Sequence, residues 1–95
     1  MMIKSQRNKQ FKAMFAKLPK TIQAEARKAY RLWRTNPAHP SLQYKPLGHD
    51  IWSVRINLNY RALGRKEGKS LIVWTWIGTH NELLPKIRTG SLGKN

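Results

Sequence analysis

The stretch WSVRINLNYRALGRKEGKSLIVWTWIGTH, residues 52–80, decides the fold. Trp52, Val54 and Ile56 alternate with Ser53, Arg55 and Asn57, the period-two pattern of a half-buried strand. Asn57–Leu58–Asn59 is a turn. Tyr60 to Arg65 is a second strand, and Lys66–Glu67–Gly68–Lys69 supplies a hairpin loop with a well-placed glycine. Leu71 to Ile77 is apolar at both parities, so it reads as a strand buried on both faces and internal to the sheet. Trp74 and Trp76 share one parity there and read as core. Gly78 breaks the strand, and Asn81 to Ile87 reads as a short helical turn interrupted by Pro85. Three strands in a row with tight connections make an antiparallel meander.

N-terminal to this stretch the period changes. Phe11, Met14, Phe15 and Leu18 are spaced for one face of a helix of about three turns, with Arg7, Lys9, Lys12 and Lys17 at polar positions. Pro19 ends it, because the residue before a proline is pushed out of the α region, and opens a second helix. That helix places Ile22, Ala26, Ala29, Tyr30 and Trp33 on one face and stops at Asn36–Pro37. Residues Pro37 to Gly48 read as a connector pinned by Leu42, Tyr44 and Leu47. Met2–Ile3–Lys4 reads as a short edge strand. The expected fold class is α+β: an αα-hairpin of two N-terminal helices packed on a small, mostly antiparallel sheet in the order β-α-α-β-β-β. Residues 1–88 form one domain, and the polar tail from Thr89 to Asn95 is expected to be disordered.

Charge limits the partners. The 95 residues hold 19 Lys and Arg against four acids (Glu25, Asp50, Glu67 and Glu82), a formal charge of +15. Such a surface repels itself and calls for a polyanion or an acidic protein to meet it. Cysteine is absent, which removes disulfides, thiolate nucleophiles and cysteine-based zinc sites. No signal-like apolar run follows Met1 and no stretch is long and apolar enough to span a bilayer, so the expected location is the cytoplasm, with no membrane partner.

Elimination narrows the chemistry. The scattered acids give neither a carboxylate pair nor a metal cluster, and no glycine-rich phosphate loop is present. No cofactor is implied. What remains is histidine with arginine. RNA carries its own nucleophile, the 2′-hydroxyl, so its cleavage needs only proton transfer and cations beside the phosphorane. Histidine moves protons near neutral pH, and arginine forks match phosphate oxygens. Arg55 and Arg61 fall on consecutive strands and His80 follows the third, so a meander brings all three to one place. Taken singly, each has a plainer reading, as a solvated strand residue or a strand-end cap. Lys45, Arg65, Lys28, Arg31 and Arg34 are candidates for RNA contact. His39 and His49 read as locally bonded turn residues.

The segments KLPKTIQAEARKAYRLWRTNP (17–37), HPSLQYKPL (39–47), WSVRINLNYRAL (52–63) and VWTWIGTHNEL (73–83) together resemble the RelE/ParE superfamily of bacterial toxins across nearly the whole chain. The resemblance implies the fold above and a toxin of a type II toxin–antitoxin system, held by an acidic cognate antitoxin. Many members are endoribonucleases that cut mRNA on the ribosome; others poison DNA gyrase. It gives Arg55 and Arg61 the place of recurrent phosphate-contacting arginines and His80 that of a catalytic histidine. Asn81 and Leu84 stand where many RNA-cleaving members carry an aromatic, and Lys45–Pro46 where one subgroup has a glutamate base. Two other readings follow from those departures: a gyrase inhibitor with no chemistry of its own, and a non-catalytic RNA-binding relic.

The charge itself makes a measurable claim. If the protein neutralises about six phosphates, its affinity for an RNA oligonucleotide or heparin falls about 10³-fold between roughly 50 and 200 mM salt. A flat response in a salt titration by fluorescence anisotropy contradicts this.

Overall fold

The computed structural model describes residues 4–83. Strand β1 (Lys4–Arg7) leads into helix α1 (Lys9–Ala16) and helix α2 (Lys20–Thr35). A single 3-10 turn (Pro40–Leu42) then precedes β2 (Lys45–Gly48), β3 (Ile51–Arg55), β4 (Tyr60–Glu67) and β5 (Leu71–Thr79). The five strands form one sheet in the order β1-β5-β4-β3-β2, parallel only between β1 and β5. The α+β meander with two helices ahead of it is therefore present, with one strand more than the sequence reading counted. Of the expected first strand, Met2 and Ile3 lie outside the described residues, as do Leu84 to Ile87 of the last helical turn and the whole polar tail.

The extra strand comes from the connector. Lys45–Gly48 pairs with β3 through a turn in which His49 and Asp50 both take positive φ, 52° and 63°. That turn geometry normally advertises itself as Asn-Gly, and here it does not. Pro46 is tolerated because β2 is an edge strand.

Helix α1 is shorter than its apolar spacing implied. The Asn8 side chain caps it by accepting from the Phe11 N–H at 2.8 Å, and it spans eight residues, leaving Leu18 in the link to α2. Gln23 closes the hairpin: its Nε2 donates to the Phe15 carbonyl at 3.0 Å and the Leu18 carbonyl at 3.2 Å, satisfying groups that the helix end leaves open. Trp33 is the main tie between α2 and the sheet. It is buried, meets Trp74 edge-on at 5.3 Å between ring centres and Tyr44 edge-on at 5.8 Å. Each such pair contributes about 1 kcal/mol beyond burial.

A bulge in β5 divides the core. Leu63 pairs with Trp76 and Gly64 with Trp74, so Thr75 is the extra residue on β5. Neighbouring residues of β4 face opposite ways, and their partners do too. The shared parity of Trp74 and Trp76 read from the sequence is thereby corrected: the two indoles lie on opposite faces, both as core. Trp74 joins Phe11, Trp33, Leu42, Val54, Ala62, Ile72 and Ile77 on the helix-covered face. Trp76 joins Ile51, Leu63 and Leu83 on the other.

Gly64 makes the helix-covered side of this arrangement possible. A Cβ there would stand 2.8 Å from both Ile72 Cδ1 and Trp74 Cε3. Gly64→Ala is expected to destabilise the fold by about 2 kcal/mol and to lower Tm by roughly 10 °C. Calorimetry checks this, and an unchanged Tm contradicts the close packing.

Candidate functional site: a cation cluster at the end of the meander

The last cross-strand pair of β3 and β4 is Arg55 opposite Arg61, and Arg61 in turn pairs with Gly78 of β5. Like charges directly opposite destabilise a sheet, by up to roughly 1 kcal/mol. Both side chains are half-buried, and nothing in the local strand pattern requires two arginines here. Burial, and secondarily the charge of Arg55, lowers the pKa of the Arg61 guanidinium from its ordinary value. It stays a cation throughout the range in which proteins fold.

The turn beside this pair is rigid by construction. Asn57 Oδ1 accepts from the backbone N–H groups of Asn59 at 2.8 Å and Tyr60 at 2.9 Å, the local bonding for which asparagine is favoured in turns. Asn57 Nδ2 donates to Glu25 on α2 at 2.6 Å. The Asn59 carbonyl accepts from the His80 N–H at 2.7 Å, which ties the end of β5 to the turn. Leu58 at the tip is 82% exposed.

His80 opens a helical turn whose start is encoded in Thr79–His80–Asn81–Glu82. The Glu82 N–H donates to Thr79 Oγ1 at 3.2 Å, and Glu82 Oε1 accepts from the Thr79 N–H at 2.9 Å and its hydroxyl at 2.8 Å. This is a capping box, so the helix starts one residue earlier than the expected Asn81. Gly78 leaves room for it, since a Cβ there would lie 2.8 Å from the Trp76 ring and 3.2 Å from Glu82 Oε1. His80 Nδ1 accepts a hydrogen bond from Arg61 Nε at 3.1 Å. Arg61 Nη2 donates to Gln43 Oε1 at 3.0 Å, and Arg55 Nε reaches the Asn57 carbonyl at 3.4 Å.

Arg55, Arg61 and His80 are thus brought together, as the meander implied. Lys45 and Arg65 share their sheet face: Lys45 lies opposite Ser53, and Arg65 opposite Ile51. Arg65 is engaged by Glu67 at 3.2 Å, an exposed pair worth little. Lys28, Arg31 and Arg34 stand on the exposed side of α2, whose buried side covers the opposite sheet face; the structure does not bring them to the cluster. Arg34 instead donates to the Tyr30 hydroxyl at 3.0 Å. His39 and His49 are turn residues: His39 Nδ1 accepts from the Ser41 N–H at 3.2 Å, and His49 sits in the β2–β3 turn. Gln43 was missed. It is neutral, far from Arg61 in sequence, and nothing in its local pattern marks it.

A cavity of about 390 Å³ lies on the other face, between the helices and the sheet, lined by residues that include Phe15, Arg27, Tyr30, Trp33, Val54 and Trp74. Its lining holds no histidine or carboxylate, so it offers no proton-transfer group for chemistry near neutral pH. A histidine and arginines meet instead at the cation cluster.

Comparison with known proteins places the fold. Among solved structures, the toxin–antitoxin complex RelBE2 of Mycobacterium tuberculosis contains a chain of the same fold. It is 20% identical, with TM-score 0.66 over 84% of this chain and all of that one. YafQ of E. coli superposes with TM-score 0.68 at 15% identity, over 86% of this chain and 98% of that one. A mutant of the E. coli toxin RelE in the free state gives 0.67 at 12% identity, over 97% and 99%. No curated protein matches the sequence. The model of the ParE-like toxin domain matches residues 20–83, which runs from the start of α2 through the capping box. The chain belongs to the ParE-like toxin domain family.

Proposed function

We propose that this protein is the toxin of a type II toxin–antitoxin pair and that it acts as a ribosome-dependent mRNA endonuclease. The observation that carries the reading is the convergence of Arg55, Arg61 and His80, all half-buried, at one end of the meander, with Arg61 Nε 3.1 Å from the imidazole. In the reaction, the 2′-oxygen of the RNA bonds to the adjacent phosphorus as its proton leaves. The bond to the 5′-oxygen then breaks and that oxygen is protonated. One proton is released and one taken up, so neither a metal nor a protein nucleophile is required. His80 is the group suited to proton transfer, and Arg55 and Arg61 face the charge that develops on phosphorus. Lys45 and Arg65, on the same face, are suited to flanking phosphates. Lys28, Arg31 and Arg34, on the far side, are suited to long-range steering.

An acidic antitoxin is the partner that the surplus of cations calls for, and one of the structural neighbours is a toxin–antitoxin complex. Among the described residues no helix is long and apolar enough to cross a membrane. The proposed place of action is the cytoplasm.

The family model supports a second reading, because the matching description is ParE-like. In that reading the protein inhibits DNA gyrase and performs no chemistry.

Purified ribosomes programmed with mRNA test the first reading. Wild type is expected to cut in the A site, with His80→Ala slower by about 10²–10⁴-fold and Arg55→Ala or Arg61→Ala by about 10²-fold. Intact mRNA in the wild-type lane sinks it. Inhibition of supercoiling with trapped DNA breaks, without mRNA cleavage, transfers support to the gyrase reading.

A further inference from the structure

Two hydrogen bonds leave the Arg61 guanidinium in different directions. Nη2 donates to Gln43 Oε1 and Nε donates to His80 Nδ1. A guanidinium has five N–H donors, no acceptor, and keeps its proton. Nδ1 must therefore present its lone pair to Arg61. The single proton of the neutral imidazole is then on Nε2, on the other side of the ring. The same logic orients the Gln43 amide with its oxygen toward Arg61.

Gln43 is held where it can do this. Its φ and ψ, 44° and 43°, lie in the left-handed region, which a side chain enters at a cost of about 1 kcal/mol. The residues on either side fix it there. Leu42 is buried in the core, and the Tyr44 ring packs 4.6 Å from Trp52 and 5.8 Å from Trp33. The anchored ends of the connector thus aim one neutral side chain at one cation.

We infer that Gln43 is a positioning residue: acting through Arg61, it fixes His80 as the Nε2–H tautomer, so that the imidazole meets a phosphate or sugar oxygen as a hydrogen-bond donor. The identity of that ligand rests on the nuclease reading. The tautomer is a property of the free protein and does not. Arg61 consequently has two roles, one toward the charge of a bound phosphate and one toward the ring. The Gln43 side chain accepts from Arg61 and adds no charge to a face already crowded with cations.

Ring ¹⁵N spectra of the isolated protein, recorded above about pH 8 where imidazoles are neutral, distinguish the two tautomers. His80→Ala assigns the signal. His39, whose Nδ1 accepts from the Ser41 N–H, caps the other end of the 3-10 turn that ends at Gln43, so an unchanged His39 signal reports that the connector stays intact in the variants. The Nε2–H form is expected to dominate at His80 in wild type and in Gln43→Glu, which keeps an oxygen facing Arg61. Gln43→Ala is expected to raise the share of the Nδ1–H form at least about threefold, with His39 unchanged. Arg61→Ala should do the same or more. Gln43→Met, similar in length and without the oxygen, repeats the comparison if alanine loosens the connector. A dominant Nδ1–H form in wild type, or the same His80 pattern in Gln43→Ala and Gln43→Met as in wild type, overturns the inference. Failure of the wild type to cut mRNA would remove the nuclease reading and leave the tautomer result standing. An active wild type with an unshifted His80 in the variants would do the reverse.

Discussion

Between the pairs Leu63–Trp76 and Gly64–Trp74, β5 runs three residues where β4 runs two. Without the extra residue, Trp74 and Trp76 would crowd one face and the opposite face would lack its large side chain. With it, β5 gives each face one buried indole, and each face has a core of its own. The parity change also carries forward. It sets Gly78 beside Arg61, where the absence of a side chain leaves room for the Trp76 ring and Glu82. From there Thr79 caps the turn that holds His80. The position of the imidazole beside Arg61 therefore follows from packing decided several residues earlier in the same strand.

The electrostatics follow a consistent division. Glu25 binds Asn57, Glu67 binds Arg65 and Glu82 caps its own helical turn. These three carboxylates stabilise turns and ends, and none of these bonds reaches Arg55 or Arg61. Cations outnumber acids by 19 to four, so most of the surface remains positive whatever the local pairing. The face with Arg55, Arg61, Lys45 and Arg65 also carries His80, a group suited to proton transfer.

Much of this was legible in the sequence, for identifiable reasons. Period-two alternation in Trp52–Asn57 and the apolar run Leu71–Ile77 gave the meander, and the meander implied that Arg55, Arg61 and His80 converge. Helix faces followed from the spacing of Phe11, Phe15, Ala26 and Trp33. What was missed was non-local or lacked its usual marker. The β2 strand hid behind Pro46 and a turn whose two central residues, His49 and Asp50, are not glycine. No residue type at Thr75 signals the bulge, which exists because the two faces each need to bury a tryptophan. Gln43 acquires meaning only from Arg61, which folding brings to it. The capping box at Thr79–Glu82 is readable by rule and starts the helix one residue before Asn81.

The Arg55–Arg61 pair shows why such a site is hard to see as stability and easy to see as function. Side by side across two strands, the two guanidiniums repel, and burial of Arg61 adds a desolvation penalty that its pKa registers. The hydrogen bonds that orient the pair run to neutral acceptors: the Asn57 carbonyl, the Gln43 amide and the His80 ring. A carboxylate in any of those places would stabilise the isolated protein more and would compete with an incoming anion. Neutral acceptors orient the cations without adding a negative charge of their own. An anion that binds there relieves repulsion that the folded chain already carries, so its binding and the stability of the fold are linked through the same two side chains.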